Sequence, residues 1–427
     1  MSEMQAVLVI GGGIAGEQAS LDLADQGFTV YLVERNPSIG GRMAQLDKTF
    51  PTMDCASCIG TPKMVEVGMH PNIKLLTYSE IKEVSRTGKR FAVKVLRKPR
   101  YVDETKCIGC GICAQNCPVE TPNEFDEGLG IRKAIYVPFP QAVPLIYTID
   151  KEVCIECGLC EKVCEAGAVN LGQEPEEIEL KVGAIIVATG YNLFDAGKKE
   201  EYGYGIYDNV ITGLELERLL SASGPTGGHV SRPSDGKIPR KVAFVQCVGS
   251  RDEQVGNQYC SKVCCMYATK EAELIKEHVT DADVTIFYID IRAFGKGYEE
   301  FYKRAEKEYA IKYVKGRVAE ILEEPVTRNL FIRAENMESN ELVEEEVDMV
   351  VLCSGIVPAL TDETRKMLPV PIDDNGFITP IHPKTDPVTT SLEGVFTAGV
   401  AEGPKDIPDT VAQASAAAMK ASIIAKG

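Results

Sequence analysis

No stretch of the chain approaches the roughly 18 to 20 consecutive apolar residues that span a bilayer, so no transmembrane segment is expected. The amino terminus also lacks the basic start and small-residue cleavage site of a secretory signal, and enters an apolar run at Ala6–Ile10 almost at once. A cytoplasmic protein is expected. Positive charge is scarce: 46 Lys and Arg stand against 63 Asp and Glu, a net charge of −17. A nucleic-acid surface needs clustered Lys and Arg, so nucleic acid is not an expected partner, and the acidity reads as solubility. Histidine occurs four times, at His70, His229, His278 and His382, never in a ligand or triad pattern. Surface or structural roles are expected for all of them.

Cysteine, by contrast, is plentiful, with 15 residues in 427. In a long chain without a secretory signal such cysteines read as metal ligands rather than disulfides. The length also exceeds what one core usually fills, so more than one domain is expected.

Residues Gln5 to Glu34 read as strand, glycine turn, helix and strand, with AVLVI the buried strand, Glu17 to Gln26 the helix and Thr29 to Val33 the second strand. A mixed segment follows to about Arg100, in which VEVGMH and FAVKVLRK read as strands of an antiparallel layer. From Tyr101 to Gly172 closely spaced Cys, Gly and Pro interrupt the α/β pattern, which marks an insertion. The pattern resumes with VGAIIVATG, and a Gly/Ser/Pro-rich stretch from Ser221 to Lys237 reads as a linker. KVAFVQCVGS, the helix Met266 to His278 and DVTIFYID then make a second βαβ unit. The chain ends with the strands VDMVVLCSG and LEGVFTAG and an Ala-rich helix, Asp409 to Ala425. These features predict five segments: a split α/β domain in three parts (1–100, 173–236 with the linker, 355–427), a Cys-rich insert (101–172) and a second nucleotide-domain-like module (237–354).

Gly11-Gly12-Gly13-Ile14-Ala15-Gly16 fits G-x-G-x-x-G between strand and helix, with Glu34 closing the second strand. Gly11 permits the tight turn, Gly13 lets a pyrophosphate approach the backbone, Gly16 lets helix and strand pack, and Glu34 can accept from ribose hydroxyls. An acidic residue there favours FAD or NAD over NADP. Ile39-Gly40-Gly41-Arg42, Ala188-Thr189-Gly190 and Thr397-Ala398-Gly399 complete a set that resembles the FAD domain of thioredoxin reductase-like, two-dinucleotide-domain flavoproteins. That resemblance selects FAD for the first site, with Arg35, Gly41, Arg42, Thr189, Gly190 and Gly399 joining Gly11, Gly13, Ile14, Ala15, Gly16 and Glu34 around it.

Cys107, Cys110, Cys113 and Cys117-Pro118 form C-x2-C-x2-C-x3-C-P, and Cys154, Cys157, Cys160 and Cys164 repeat the spacing with Glu165 in place of the proline. The fourth cysteine of each such run ligates the other cluster. Cys107, Cys110, Cys113 and Cys164 are therefore expected to hold one [4Fe–4S] cluster, and Cys154, Cys157, Cys160 and Cys117 the second. A third group, Cys247, Cys260, Cys264 and Cys265, lies where the second βαβ unit lacks a full glycine fingerprint. On spacing alone it is a metal site, a disulfide pair or a dithiol. Cys55 and Cys58 form a C-x2-C that is a redox disulfide or a packing element beside the flavin, and Cys353, alone in an apolar strand, reads as core.

Taken together, GGGIAG, MDCASCIGTPKM, the double ferredoxin motif, the QC…C…CC group and GPKDIPDTVAQA resemble the A subunit of heterodisulfide reductase and its relatives, the flavin subunits of electron-bifurcating complexes. Flavin subunits of quinone-interacting oxidoreductases are similar too, but the ferredoxin insert argues against the closest of them. The resemblance implies that the Cys247 group ligates a further [4Fe–4S] cluster and that the segment Gly403 to Ala414 approaches FAD. Lys405 would contact the isoalloxazine ring, with Asp406 and Ile407 beside it. Compared with longer members, the chain starts at the FAD fingerprint and ends without a carboxy-terminal ferredoxin module. The expected protein is an α/β flavoprotein of the thioredoxin reductase-like type with an inserted α+β two-cluster ferredoxin domain. It would split or merge electron pairs at FAD and pass single electrons to B- and C-like subunits or similar redox proteins, with ferredoxin or a hydrogenase-type donor as a source, in an oligomer. The alternatives are a self-contained NAD(P)H-dependent disulfide reductase using Cys55 and Cys58, and a relay that does not bifurcate.

Overall fold

The computed structural model describes residues 5–426. The chain divides into two compact units, one comprising residues up to Ala44, Ser57–Tyr191 and from Pro358 onward, the other Gln45–Ala56 and Asn192–Val357.

The first unit is built on a sheet whose parallel core runs Val395–Thr397, Ala184–Val187, Ala6–Ile10, Thr29–Val33, Ile73–Leu76. The two central strands are buried throughout, which is why they read as continuous apolar runs rather than alternations. The helix after the first strand begins at Ile14, inside the glycine turn and with Gly13 as its N-cap, three residues earlier than the sequence suggests. Glycines 13 and 16 carry no side chain to signal a helix, so the pattern became legible only at Glu17. The last helix, Ile407–Ala425, packs its Ala414, Ala417, Ala418 and Ala421 into the same core.

VEVGMH is not a strand. It ends the helix Ala56–Met69, in which Met64 and Val67 are buried while Val65 is exposed. The Val-Glu-Val alternation imitates a period of two, but the buried pair is spaced three apart, as on a helix face. FAVKVLRK does form a strand, Arg90–Arg97, in a three-stranded layer with Ser79–Thr87 and Glu176–Val182. Arg97 pairs antiparallel with Glu176, so the insert leaves and returns on neighbouring strands.

The insert has its own small core of Val102, Cys113, Ile135, Ile149, Ala168 and Val169. It is nonetheless tied to the flavoprotein layer: the fully buried Arg100 donates to Pro37 O (2.7 Å), Thr77, Thr148 Oγ1 (2.7 Å) and Glu104 Oε1 (2.8 Å). Phe139 and Ala142 belong to the flavoprotein core itself, where Phe139 stacks on Phe125 with centroids 4.7 Å apart.

The second unit is a five-stranded parallel sheet, ordered Val210–Thr212, Met349–Ser354, Lys241–Val248, Asp283–Tyr288, Lys312–Lys315, with an antiparallel layer of three strands between Val318 and Val347. The expected boundary at residue 237 is therefore too late: Val210–Thr212 pairs with Met349–Ser354, which draws the chain into this unit from Asn192. Nor is Ser221–Lys237 a free linker, because Arg232 is buried and donates to Asn329 Oδ1 (2.9 Å) and Thr327 O (2.8 Å). Residues 45–56 join the unit through a buried charge network. Lys270 pairs with Glu217 and donates to Lys48 O (3.0 Å), Glu217 Oε2 accepts from Asp47 N (2.9 Å), and Arg218 Nη1 donates to Gln45 O (3.0 Å).

Candidate functional site

In the first unit the predicted dinucleotide residues converge from four segments. A Cβ on Gly11 would lie against Ala188 and Thr189, one on Gly41 would lie 2.9 Å from Gly13 Cα, and one on Gly399 2.9 Å from the Ala15 side chain. Gly40 N donates to Gly12 O (2.8 Å). The turn, the Gly40–Gly41 pair, Thr189 and Gly399 thus form one cradle at the amino end of the first helix. Within it the glycines differ. A Cβ on Gly16 would overlap Gly11 O, so that glycine serves packing, whereas one on Gly13 meets nothing closer than Gly41 Cα at 3.7 Å. Gly13 leaves its backbone approachable, as a pyrophosphate requires.

Glu34 is buried, and its carboxylate accepts from Gly12 N (2.7 Å) and Asn36 N (2.8 Å). Burial raises its pKa, opposed by those N–H donors. Each oxygen keeps a lone pair for a ribose hydroxyl. The buried hydroxyl of Thr189 has no partner in the protein, an orphan that a bound dinucleotide can satisfy. The donor set therefore fits FAD.

Other predicted contacts are engaged elsewhere. Arg42 forms an ion pair with Glu127 of the insert at 2.9 Å. Lys405 directs its ammonium to Gly399 O (2.7 Å), Gly403 O (2.7 Å) and Glu402 Oε2 (2.8 Å), which fastens the loop before the last helix. Asp406 caps that helix by accepting from Asp409 N (2.9 Å), with Ile407 its first residue. Sequence reasoning missed Glu17, wholly buried in the first turn after the glycines. Burial pushes its carboxyl up to about 8, against Lys63, which draws it down.

In the insert the two cysteine runs are built alike. Cys107 N donates to Asp103 O and Cys154 N to Asp150 O, each at 3.0 Å, and left-handed Gly111 (φ +81°) and Gly158 (φ +70°) start the short helices Ile112–Gln115 and Leu159–Val163. The third thiol of each run points inward. Burial pushes Cys113 up to about 12, with Cys107 and Cys110 adding to the effect. Cys160 is likewise raised by burial, then by Cys154, Cys157 and Cys117. Cys117, from the first run, lines one cavity with Cys154, Cys157 and Cys160 of the second. A thiol raised by burial, as Cys113 and Cys160 are, gives up its proton when a metal takes the sulfur, which suits the pair as cluster ligands. Among the described residues no three His, Cys, Asp or Glu side chains are placed to hold a single metal ion.

The comparisons with known proteins bear on both sites. Residues 6–55 match the FAD dependent oxidoreductase family model, and residues 106–169 match the 4Fe-4S dicluster domain model. The chain is 60% identical over 420 residues to the iron-sulfur A subunit of the CoB–CoM heterodisulfide reductase of Methanocaldococcus jannaschii, covering 98% of this chain and 64% of that protein. Over nearly its whole length it is a homologue of the A subunits of heterodisulfide reductases. The A subunit of the H(2):CoB-CoM heterodisulfide,ferredoxin reductase of Methanothermobacter marburgensis is 59% identical over 417 residues, 97% of this chain and 63% of the relative. That of the ferredoxin/F(420)H(2)-dependent CoB-CoM heterodisulfide reductase of Methanosarcina acetivorans is 50% identical over 416 residues, 97% and 52% respectively. The chain thus spans between half and just under two thirds of these relatives' length. Among solved structures, the thioredoxin reductases of T. acidophilum (TM-score 0.56, 14% identity, 99% of this chain and 100% of the other) and Lactococcus lactis (0.55, 16%, 99% of each) share the fold.

In the second unit of this heterodisulfide reductase homologue, all four thiols of the third group gather at one end of the parallel sheet. Cys247 lies in the strand Lys241–Val248, Cys260 in the following loop, and Cys264 and Cys265 open the helix Cys264–His278. Burial pushes Cys247 up to about 11, with Cys265 and Cys260 adding to it and Arg251 opposing it. Cys264 is raised by burial and then by Cys247, Cys265 and Cys260. Cys353 is fully buried, as expected of core, yet lies close enough to Cys264, Cys265 and Cys247 for their charges to act on it. Its separation of nearly a hundred residues from the group hid that neighbour in the sequence. Cys55 and Cys58 are joined as a disulfide. No helix among the described residues is long and apolar enough to cross a membrane.

Proposed function

We propose that this chain is a cytoplasmic FAD and iron–sulfur oxidoreductase subunit of a heterodisulfide reductase-like complex, which splits or merges electron pairs and passes single electrons to partner subunits. The observation that carries the reading is the cavity shared by Cys117 with Cys154, Cys157 and Cys160, in the same unit as an open glycine cradle. FAD exchanges electrons in pairs or singly when bound, and [4Fe–4S] clusters carry one electron at a time.

The chain's own residues supply binding and tuning. Gly13 and the helix start at Ile14 receive the pyrophosphate, Glu34 the ribose, and Thr189, Gly190 and Gly399 border the cofactor. Lys405 acts by holding the Gly399–Asp406 loop and placing a positive charge there, rather than by a free ammonium. In the insert, Cys107, Cys110, Cys113 and Cys164 hold one cluster, and Cys154, Cys157, Cys160 and Cys117 the other; their alternation suits a short electron path. Cys247, Cys260, Cys264 and Cys265 hold a third. The names of the relatives, which include hydrogen and ferredoxin, favour B- and C-like subunits with a ferredoxin or hydrogenase-type donor as partners.

Anaerobically reconstituted protein is expected to contain one FAD and about twelve irons, four for each cubane. Eight irons with one zinc, or eight with stoichiometric NADH binding, would overturn the third site.

A further inference from the structure

Within the loop that carries the third cysteine group, three residues other than glycine adopt left-handed backbone: Cys247 (φ +62°), Arg251 (φ +55°) and Lys262 (φ +62°). Such conformations are strained and persist where the surroundings fix them. They are fixed here. Arg251 N donates to Tyr259 O (2.8 Å), Ser250 Oγ donates to the same oxygen (3.0 Å), Ser261 N donates to Ser250 Oγ (3.0 Å), and Ser261 Oγ accepts from Ile356 N (2.9 Å). The clamp determines where the Arg251 side chain lies.

Its guanidinium faces Cys247 and Cys260. One nitrogen, Nη2, pairs with Asp290 at 2.7 Å, and the Asp290 carbonyl in turn accepts from Cys265 Sγ at 3.4 Å. The other, Nη1, is buried without any acceptor in the protein. Leaving a buried charged donor unsatisfied is costlier than leaving a neutral one, so this nitrogen calls for an acceptor. Cys247, Cys260 and Cys265 all lie close enough for the guanidinium to act on them.

We propose that Arg251 donates an N–H···S hydrogen bond to the [4Fe–4S] cluster held by Cys247, Cys260, Cys264 and Cys265, and raises that cluster's reduction potential. The inference rests on the third-cluster reading above. Reduction adds a negative charge to the cluster, and a fixed cation with a hydrogen bond to sulfur favours the more negative state. Asp290 partly offsets that cation, so the two residues pull the potential in opposite directions.

The test is an anaerobic redox titration of the fully loaded protein, followed by electron paramagnetic resonance, with iron content measured first. Arg251→Met is expected to keep twelve irons and to lower the midpoint of one cluster by at least tenfold in its one-electron equilibrium, about 59 mV. The two insert clusters should be unmoved, and Arg251→Lys should recover part of the shift. Asp290→Asn, which leaves the guanidinium uncompensated, is expected to raise the same midpoint. If Arg251→Met loses iron, the sign for Asp290→Asn decides: an upward shift supports the role, and no shift or a downward one overturns it. Full iron with unmoved midpoints in both variants overturns it as well, while eight irons in the unmutated protein removes the third cluster and the inference with it.

Discussion

At the scale of single residues, the glycine fingerprint separates into parts with different duties, and substitution should tell them apart. Gly13 has an ordinary backbone (φ −85°) and room for a Cβ, so Gly13→Val should fold yet lose FAD, seen as normal secondary structure with little flavin absorbance after purification. Gly16→Ala should instead fail to fold or lose several kcal/mol, because its Cβ overlaps Gly11 O. Recovering flavin-replete Gly13→Val would contradict the pyrophosphate assignment. These roles were legible because the motif has a fixed mechanical meaning. Glu17 was not, since its burial depends on tertiary packing that no local pattern records. Its folded-state carboxyl holds a proton up to about pH 8, whereas the unfolded chain releases it near 4.5. Between those values the unfolded state binds fewer protons, so stability falls as pH rises, by at most about 1.4 kcal/mol per pH unit. Glu17→Gln escapes this loss. Its advantage over the unmutated protein in urea denaturation should be absent below pH 4.5, grow to pH 8 and level off above; a constant difference would remove the buried acid from the account.

Elements with a clear period or punctuation were readable in advance: the buried parallel strands, the second βαβ unit and the last helix. Those that failed did so for physical reasons. The helix Ala56–Met69 carries Gly60, Pro62 and Gly68, poor helix formers, and is held by the burial of Met64 and Val67 rather than by propensity. The stretch from Ser221 to Lys237 has the composition of a tether but is pinned by Arg232 to residues almost a hundred positions away. The paired cysteine segments illustrate the opposite case, because a spacing rule stood in for three-dimensional knowledge. Cys117→Ala should therefore damage the cluster assigned to Cys154, Cys157 and Cys160, and spare the thiols of its own run. Iron spectroscopy that showed the Cys107, Cys110 and Cys113 cluster lost instead would reverse the crossing.

For the whole molecule, the number of α/β layers was legible and their borders were not, since a strand such as Val210–Thr212 declares its sheet only through its neighbours. The second layer keeps the shape of a nucleotide domain, yet its turn is closed where the first is open. A Cβ on Gly249 would run into the Phe194 ring, while one on Gly13 meets only Gly41 Cα, at an ordinary contact distance of 3.7 Å. NADH or NADPH added to the isolated flavin-loaded protein is accordingly expected to leave the flavin absorbance unchanged. Rapid bleaching would favour the self-contained disulfide reductase, for which the Cys55–Cys58 disulfide would be the obvious target. Because Arg97 and Glu176 are direct partners, the strands Arg90–Arg97 and Glu176–Val182 close on each other beneath the insert, and the module between them can change in size without disturbing either strand. The insert is nonetheless not detachable: Phe139 and Ala142 fill the flavoprotein unit's interior, and Arg100 is buried against Pro37 and Thr77. Excision would leave a sound hairpin above an exposed apolar face, so a replacement module must bring side chains of similar footing to cover it.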